Sequence, residues 1–525
     1  MVLDHGATGP DRPAVKDLDQ ALTYLELREA AAAVASGLST RGVVEGDRVG
    51  LHLPNSVDFV VAALACLWTG AIFVPLATTD PPARLAGILA DCTPALVVTS
   101  DHSDHSDDAG DSGDADDAGD GPGANTPMDA TSWVPIGALR LPGAEPPTPS
   151  HSTERGAYAI YTSGTTGTPK GVLIGNRAFA AAVAATSEAL GLNGETRTLC
   201  VSPFHFDGSF GTLFPTLYAG GAVVIRPREA LLFPRTFFSA VKREAVTYTG
   251  FSPSYLQLLL SSPQIGQLAD TDLGVVALGG EASSVADIRS LWAAAPQVAV
   301  FNRYGPTETT IAVTHALVTP ESIAGGTVSM GRPHPGVTFH VVDEADRVVE
   351  AADQVGELYI GGDQLMEGYW GAPALTAEVL RTDVVAGQTV YRTGDLVYRT
   401  DDGEYVYIDR ADRVMKRHGV RISLVELGDA MRGLDGVSAA ACVAFDDGGQ
   451  TGIVAFVVAD GPVDTLDLRR AAAHRLPESM LPDRIEVVDS LPLTRSSKLD
   501  ERRLLAEAGL VELRGGAAPA GPAPN

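Results

Sequence analysis

Between Asp47 and Gly305, short apolar runs of strand length alternate with longer segments of helical length. The runs fall at residues 49–53, 95–98, 198–202, 222–225, 246–248, 275–278 and 298–301, with helix-like segments such as 57–68, 210–218 and 285–295 between them. Neighbouring parallel strands need a crossover, so this rhythm predicts mainly parallel sheets covered by helices. Ligands on such sheets bind beyond the carboxyl ends of the strands. Four strand ends are followed by polar or glycine clusters: His205-Phe-Asp207-Gly-Ser209, Thr249-Gly-Phe251, Gly279-Gly-Glu281 and Asn302-Arg-Tyr-Gly-Pro-Thr-Glu308. These are expected to aim at one crevice.

From about residue 328 to 409 the pattern changes to short strands and turns, as in a small β-rich lobe. Residues 410–514 mix strands (439–445, 453–458) with helices (424–434, 466–476), which predicts a separate α+β domain after an N-terminal domain of residues 1–409. A chain of 525 residues is too long for one ordinary core, in keeping with that division. The expected fold is therefore α/β: a large N-terminal domain with two helix-covered sheets and a β-rich lobe, then a small C-terminal domain. Residues 515–525 are Gly, Ala, Pro and Asn and read as a disordered tail.

The formal charge of −28 lacks the basic footprint that nonspecific nucleic-acid binding requires. Part of it is local: residues 101–125 carry nine aspartates and no lysine or arginine. Their order does not match an EF-hand loop, so the insert reads as a solvated disordered segment. No run of about 18 apolar residues predicts a membrane span, and the first residues lack the character of a signal peptide. Cys66, Cys92, Cys200 and Cys442 are scattered and read as core thiols in a reducing cytoplasm.

The segment Tyr161-Thr162-Ser163-Gly164-Thr165-Thr166-Gly167-Thr-Pro-Lys170-Gly171 gathers hydroxyls, flexible backbone and one cation. Glycines let backbone N–H groups approach an anion and lysine adds a point charge, which is phosphate-cradle chemistry. A Walker A loop needs Gly-Lys-Ser/Thr opening a helix; here Pro169 precedes the lysine and residues 171–174 read as a strand. A merely structural turn stays open on this segment alone.

Together with other blocks in order, the segment resembles the adenylate-forming superfamily of acyl-CoA synthetases, luciferases and nonribosomal-peptide adenylation domains. The other blocks are residues 22–27, 70–75, Tyr304-Gly-Pro-Thr-Glu308, Gly356-Glu-Leu358, Tyr391-Arg-Thr-Gly-Asp395-Leu396, Arg410-Ala-Asp412 and Pro492-Leu-Thr-Arg-Ser-Ser-Lys498. The resemblance implies ATP and Mg²⁺ as cofactors. It implies that Tyr304 stacks on adenine, Thr307 contacts the α-phosphate or carboxylate, and Glu308 helps hold Mg²⁺. Asp395 would accept from the ribose hydroxyls, with Tyr407 and Arg410 nearby. Lys498 would neutralise charge as the carboxylate attacks the α-phosphate, and Asp412 would be the hinge about which a mobile C-terminal domain turns between half-reactions. Two positions depart from the family's usual glycines: Ser497 before the lysine and Asp409 before Arg410.

Phe206-Asp207-Gly-Ser209 is similar to the block of amino-acid-activating members, in which the aspartate pairs with the substrate ammonium; a helix N-cap is the rival role. The remaining pocket positions by that resemblance are Gly208, Gly211, Gly250, Ala277, Gly279, Arg303, Ile311 and Ala312. An arginine among glycines is a poorly compensated buried charge unless a substrate group meets it, and its planar fork suits a carboxylate. The expected substrate is an amino acid with a second carboxylate: aspartate, methylaspartate or a related β-amino acid. The competing expectation turns Arg303 away onto a protein carboxylate and leaves a roomy pocket. With the chain ending soon after Lys498, the acceptor is expected to be the phosphopantetheine thiol of a separate carrier protein. The alternatives are an acyl- or aryl-CoA ligase using free CoA, and a non-catalytic nucleotide-binding regulator.

Overall fold

A computed structural model describes residues 4–5, 9–101, 131–141, 143–149, 152, 154–163, 169–410, 415–417, 420–422, 424–447, 450–473, 481–494 and 499–512. Outside them lie the acidic insert beyond Asp101, Gly164, Thr165, Thr166 and Gly167, the hinge candidate Asp412, Lys498 and the 515–525 tail.

Two sheets carry the N-terminal part. In the first, Ala299–Tyr304, Val275–Gly279, Tyr248–Phe251, Arg197–Cys200, Ala222–Ile225 and Pro13–Lys16 lie side by side in parallel, flanked by antiparallel Thr314–Val318 and Ala21–Thr23. In the second, Ile72–Pro75, Arg48–His52, Leu96–Thr99 and Trp133–Pro135 are parallel, and Gly156–Ser163 joins them before Pro169–Gly175 and Gly368–Tyr369 continue antiparallel. The helices Tyr24–Thr40, Val57–Thr69, Asn176–Ala189 and Asp207–Tyr218 contribute to one buried cluster that joins both sheets. Val57–Thr69 is apolar nearly all round because it lies inside this layer. Its ends are set locally: the Ser56 side chain accepts from Phe59 N, and Gly70 closes it in the left-handed conformation. Phe73, Tyr158, Phe179, Phe210 and Phe214 pack mostly edge to face at the centre of the layer. Burying each such ring contributes about 2–3 kcal/mol.

The β-rich lobe is a wholly antiparallel sheet built on Val337–Val342, Gly356–Gly362, Val390–Arg399 and Tyr405–Arg410. The C-terminal part packs the helices Leu424–Arg432 and Thr465–Ala473 on the long hairpin Val437–Asp447 and Gln450–Ala459. This is the α/β architecture expected, with strand ends that differ from expectation in one respect. The strands anticipated at 246–248 and 298–301 run on to Phe251 and Tyr304. Residues 249–251 and 302–304, expected to follow the strand ends, are instead the last residues of the strands. The helix anticipated at 210–218 begins earlier, at Asp207.

Candidate active site

The four clusters do share one crevice, since Arg197–Cys200, Tyr248–Phe251, Val275–Gly279 and Ala299–Tyr304 are consecutive parallel neighbours. Register places Gly279 beside Arg303, and Arg303 opposite His315 on the antiparallel strand, so all three lie on one face. The Arg303 stem crosses the floor over Gly279: a Cβ there would collide with Arg303 Cγ and stand 2.8 Å from Nε. Farther along, Cβ atoms at Gly211 and Gly250 would each come 3.3 Å from Nη1, and one at Gly208 would meet only Nη2, at 4.0 Å. The glycines are therefore the bed in which the arginine lies. Arg303 is 8% exposed and its Nη1 is buried without a hydrogen-bond partner. No ion pair joins it to a protein carboxylate among the described residues, so the competing expectation of an outward, internally paired arginine does not describe this pocket.

Asp207 opens the helix Asp207–Tyr218 beside Gly208, where a Cβ would stand 4.0 Å from Arg303 Nη2, and its Oδ2 is buried. The cap residue is Phe206 and Asp207 is the first residue within the helix, so Asp207 does not hold the N-cap position. Burial and the neighbouring Asp207 charge push the Tyr158 phenol well up. Ala277, Ile311 and Ala312 are buried; Ile311 Cγ2 would stand 2.5 Å from a Cβ at Gly211, so this wall closes on the helix.

At the other end, the Tyr304 hydroxyl donates to Asp395 Oδ2 at 2.5 Å, and Arg410 Nη1 reaches Asp395 Oδ1 at 3.4 Å and Thr393 O at 3.3 Å. Burial first, then the Asp395 carboxylate, hold the Tyr304 phenol protonated as the donor. Tyr407 packs with Tyr304 against the same apolar cluster of the lobe. Thr307 and Glu308 form a short 3-10 turn after Pro306. Tyr369 links this turn to the phosphate segment: its hydroxyl donates to Glu308 Oε1 at 2.8 Å, and Lys170 Nζ lies 5.2 Å from its ring centroid. Lys170 stands in the strand Pro169–Gly175, paired with Thr162, while Ser163 ends the facing strand. The strand after the lysine removes the Walker reading as expected.

Gln364 was not expected from the sequence. Its Nε2 donates to the carbonyls of Ala312 (2.7 Å), Thr310 (3.3 Å) and Thr309 (3.4 Å), bracing a turn in which Thr310 and Ile311 both take positive φ. Such backbone persists only when its surroundings hold it. Gln364 Oε1 then accepts from His334 Nδ1 at 3.0 Å, and His334 Nε2 accepts from His315 Nδ1 at 2.9 Å, an assignment fixed by the amide donors. Burial lowers both histidines below the usual range, and His334 and Arg303 lower His315 further. Unfolded chain binds protons on these groups near pH ~6.5 while the folded chain does not, so stability is lost as pH falls below that point, by up to about 1.4 kcal/mol per histidine per pH unit. Urea midpoints compared at about pH 7.5 and about pH 5.5 should fall more for the parent than for a His315→Asn/His334→Asn variant; equal falls would place the acid sensitivity elsewhere.

The C-terminal part is tied to the crevice rim. Arg432 Nη1 pairs with Asp287 Oδ2 at 3.0 Å, both side chains 10% exposed, and Glu281 Oε1 accepts from Leu499 N at 3.2 Å while Oε2 accepts from Ser254 Oγ at 2.6 Å. Asp409, the departure from the family's usual glycine, accepts from Leu424 N at the start of the helix Leu424–Arg432 and from Arg410 N. No group of three or more histidine, cysteine or acidic side chains suited to a metal exists among the described residues. The four cysteines are buried and free, with burial pushing Cys200 up to about 12. No helix among the described residues is long and apolar enough to cross a membrane.

A profile of the AMP-binding enzyme family matches residues 3–370, and one of the AMP-binding enzyme C-terminal domain matches residues 426–498. Isonitrile lipopeptide synthase of Streptomyces coeruleorubidus is 34% identical over 97% of this chain and 33% of its own length. Surfactin synthase subunit 2 of Bacillus subtilis (strain 168) is 31% identical over 94% of this chain and 13% of its own. A holo four-domain nonribosomal peptide synthetase, solved bound to AMP and glycine, matches with a TM-score of 0.81 at 26% identity, over 100% of this chain and 36% of that one. The chain thus spans about a third of the first of these proteins and less of the second. With ordered blocks, two sheets, crevice and family profile in agreement, this chain belongs to the AMP-binding enzyme family of adenylate-forming ligases.

Proposed function

We propose that the chain activates a carboxylate-bearing amino acid and passes it to the phosphopantetheine thiol of a separate carrier protein. In the first step a carboxylate oxygen of the amino acid attacks the α-phosphorus of ATP, forming aminoacyl-AMP as pyrophosphate leaves. In the second the thiol sulfur attacks the acyl carbon, its proton is lost, and AMP departs. The observation that carries the substrate assignment is the pocket with a carboxylate at Asp207 and a buried guanidinium at Arg303, whose Nη1 has no protein partner. A free α- or β-amino acid with a second acid complements both. The relative solved with AMP and glycine supports the amino-acid class.

In this reading Asp395 accepts from the ribose hydroxyls, with Tyr407 and Arg410 nearby, and Lys170 meets a phosphate oxygen. Mg²⁺ is held by few protein carboxylates and mostly by phosphate and water oxygens. A single Glu308, steadied through Oε1 by Tyr369 and belonging to no group of three or more ligand side chains among the described residues, fits that demand. When bound, the ion neutralises phosphate charge.

Pyrophosphate exchange across an acid panel is expected to be highest for aspartate, methylaspartate and related dicarboxylic amino acids. Arg303→Ala should cost these substrates about 100-fold in kcat/KM, the scale of a lost charge-assisted bidentate contact. Equal activity of that variant on dicarboxylic acids would sink the assignment. Thioester should form on holo carrier protein; formation on CoA alone would favour an acyl-CoA ligase, and no AMP release with any acid would favour a nucleotide-binding regulator.

A further inference from the structure

Two hydroxyls outside the set aligned with known pockets converge on the Arg303 guanidinium. Thr212 lies on the helix Asp207–Tyr218 and Tyr248 begins the strand Tyr248–Phe251; each is 1% exposed. A Cβ built on Gly250 would stand 3.1 Å from Thr212 Oγ1, 3.3 Å from Arg303 Nη1 and 3.4 Å from the Tyr248 hydroxyl oxygen. Three polar groups therefore ring one small volume, in which the Thr212 and Tyr248 hydroxyls meet only each other at close range and Arg303 Nη1 is buried without a hydrogen-bond partner. Burial raises the Tyr248 phenol, which keeps it protonated. Its hydroxyl meets the Thr212 side chain and reaches Gly211 O across a long 3.4 Å, the carbonyl that Pro215, lacking an N–H four residues on, leaves without a helical donor. A buried cation and two buried hydroxyls with no protein anion beside them among the described residues are an arrangement completed by an acceptor from outside.

We propose that Thr212 and Tyr248 act with Arg303 as the acid-recognising end of the substrate pocket, with the volume over Gly250 taken by the side-chain carboxylate. One carboxylate oxygen takes the Nη1 hydrogen bond and the other takes the hydroxyls, the phenol exchanging its long bond to Gly211 O for a charged acceptor. Gly250 is glycine because any Cβ would occupy that volume. The inference rests on the amino-acid reading of the pocket given above, and it adds that hydroxyl donors, as well as charge, separate a carboxylate from a carboxamide.

The test measures kcat/KM in pyrophosphate exchange for the parent, Tyr248→Phe, Thr212→Val and Gly250→Ala, on aspartate, asparagine and 2-aminobutyrate. The aspartate-to-asparagine ratio is internal to each preparation, so a reduced folded fraction cancels. Each hydroxyl deletion is expected to lower that ratio about tenfold or more, the scale of one hydrogen bond to a charged group. Gly250→Ala should lower the ratio at least as far, with 2-aminobutyrate retained. Unchanged ratios in both hydroxyl variants overturn the proposal while the amino-acid pocket stands. A parent that adenylates only neutral amino acids overturns it together with the dicarboxylic assignment, and a parent that turns over no amino acid overturns it by removing the reading on which it rests.

Discussion

Lys498→Ala is expected to slow aminoacyl-adenylate formation about a thousandfold, because removing one preorganised charge from a developing phosphoryl transition state costs on that order. The role comes from the family resemblance, and the flanking structure agrees with it. Leu499, the next residue, is tied by its backbone N–H to Glu281 at the end of the crevice strand, and the helix Glu501–Glu507 is capped by Asp500 immediately after. Leu499, the residue after the lysine, thus lies at the crevice rim. The measurement separates the half-reactions: pyrophosphate exchange for the first, and thioester formation from a separately synthesised adenylate on holo carrier protein for the second. The second should stay within about threefold of the parent if, as the family resemblance implies, domain rotation would withdraw the lysine before the thiol enters. Lys498→Arg should recover only part of the first, because a planar fork does not replace a compact ammonium. Equal losses in both halves would mean that Lys498 acts through the fold.

The parallel sheets were legible because each crossover leaves a periodic signature, strand-length apolar runs separated by amphipathic segments. The small antiparallel lobe and the α+β segment were legible for the same reason, as a change of period. Strand ends were not. Gly250, Phe251, Gly279 and residues 302–304 carry the local chemistry of turns, and glycine next to strand normally marks a break. Here Arg303 overrides that rule, since its side chain needs bare backbone on two neighbouring strands.

The nucleotide-end residues were legible in identity but not in their protein partners. Tyr304 was expected on adenine, and the fold additionally ties its hydroxyl to Asp395, 91 residues away. Tyr369 and Gln364 carried no local signal. A tyrosine after glycine and a glutamine before leucine are ordinary, and their meaning arises when the strand Gly368–Tyr369 pairs with Pro169–Gly175 and the preceding loop is laid beneath residues 309–312. Thr212 and Tyr248 are of the same kind, one from a helix and one from a strand. Polar groups that converge through tertiary contact leave no spacing in the chain to read.

Asp207→Asn is expected to lower kcat/KM for amino-acid substrates about 150- to 5000-fold, almost all of it through KM, while melting temperature changes little. The size follows from breaking a buried ion pair at one partner, which costs about 3–5 kcal/mol because the ammonium is left without its counter-charge. The site suits an ionised carboxylate: Asp207 is the first residue of a helix whose N-terminus favours negative charge. A capping role predicts a different outcome. Loss of a cap lowers stability by about 1 kcal/mol and would leave catalysis by folded enzyme intact, but Phe206, not Asp207, holds the cap position. The control is a substrate without the amine. Succinate, compared with aspartate, keeps both carboxylates and removes the ammonium, so Asp207→Asn should leave its slow exchange unchanged or raise it, as a repelling charge is removed. A variant that loses aspartate and succinate in equal proportion, at unchanged stability, would move Asp207 from amine recognition to general shaping of the pocket and would leave the amino-acid class resting on Arg303 alone.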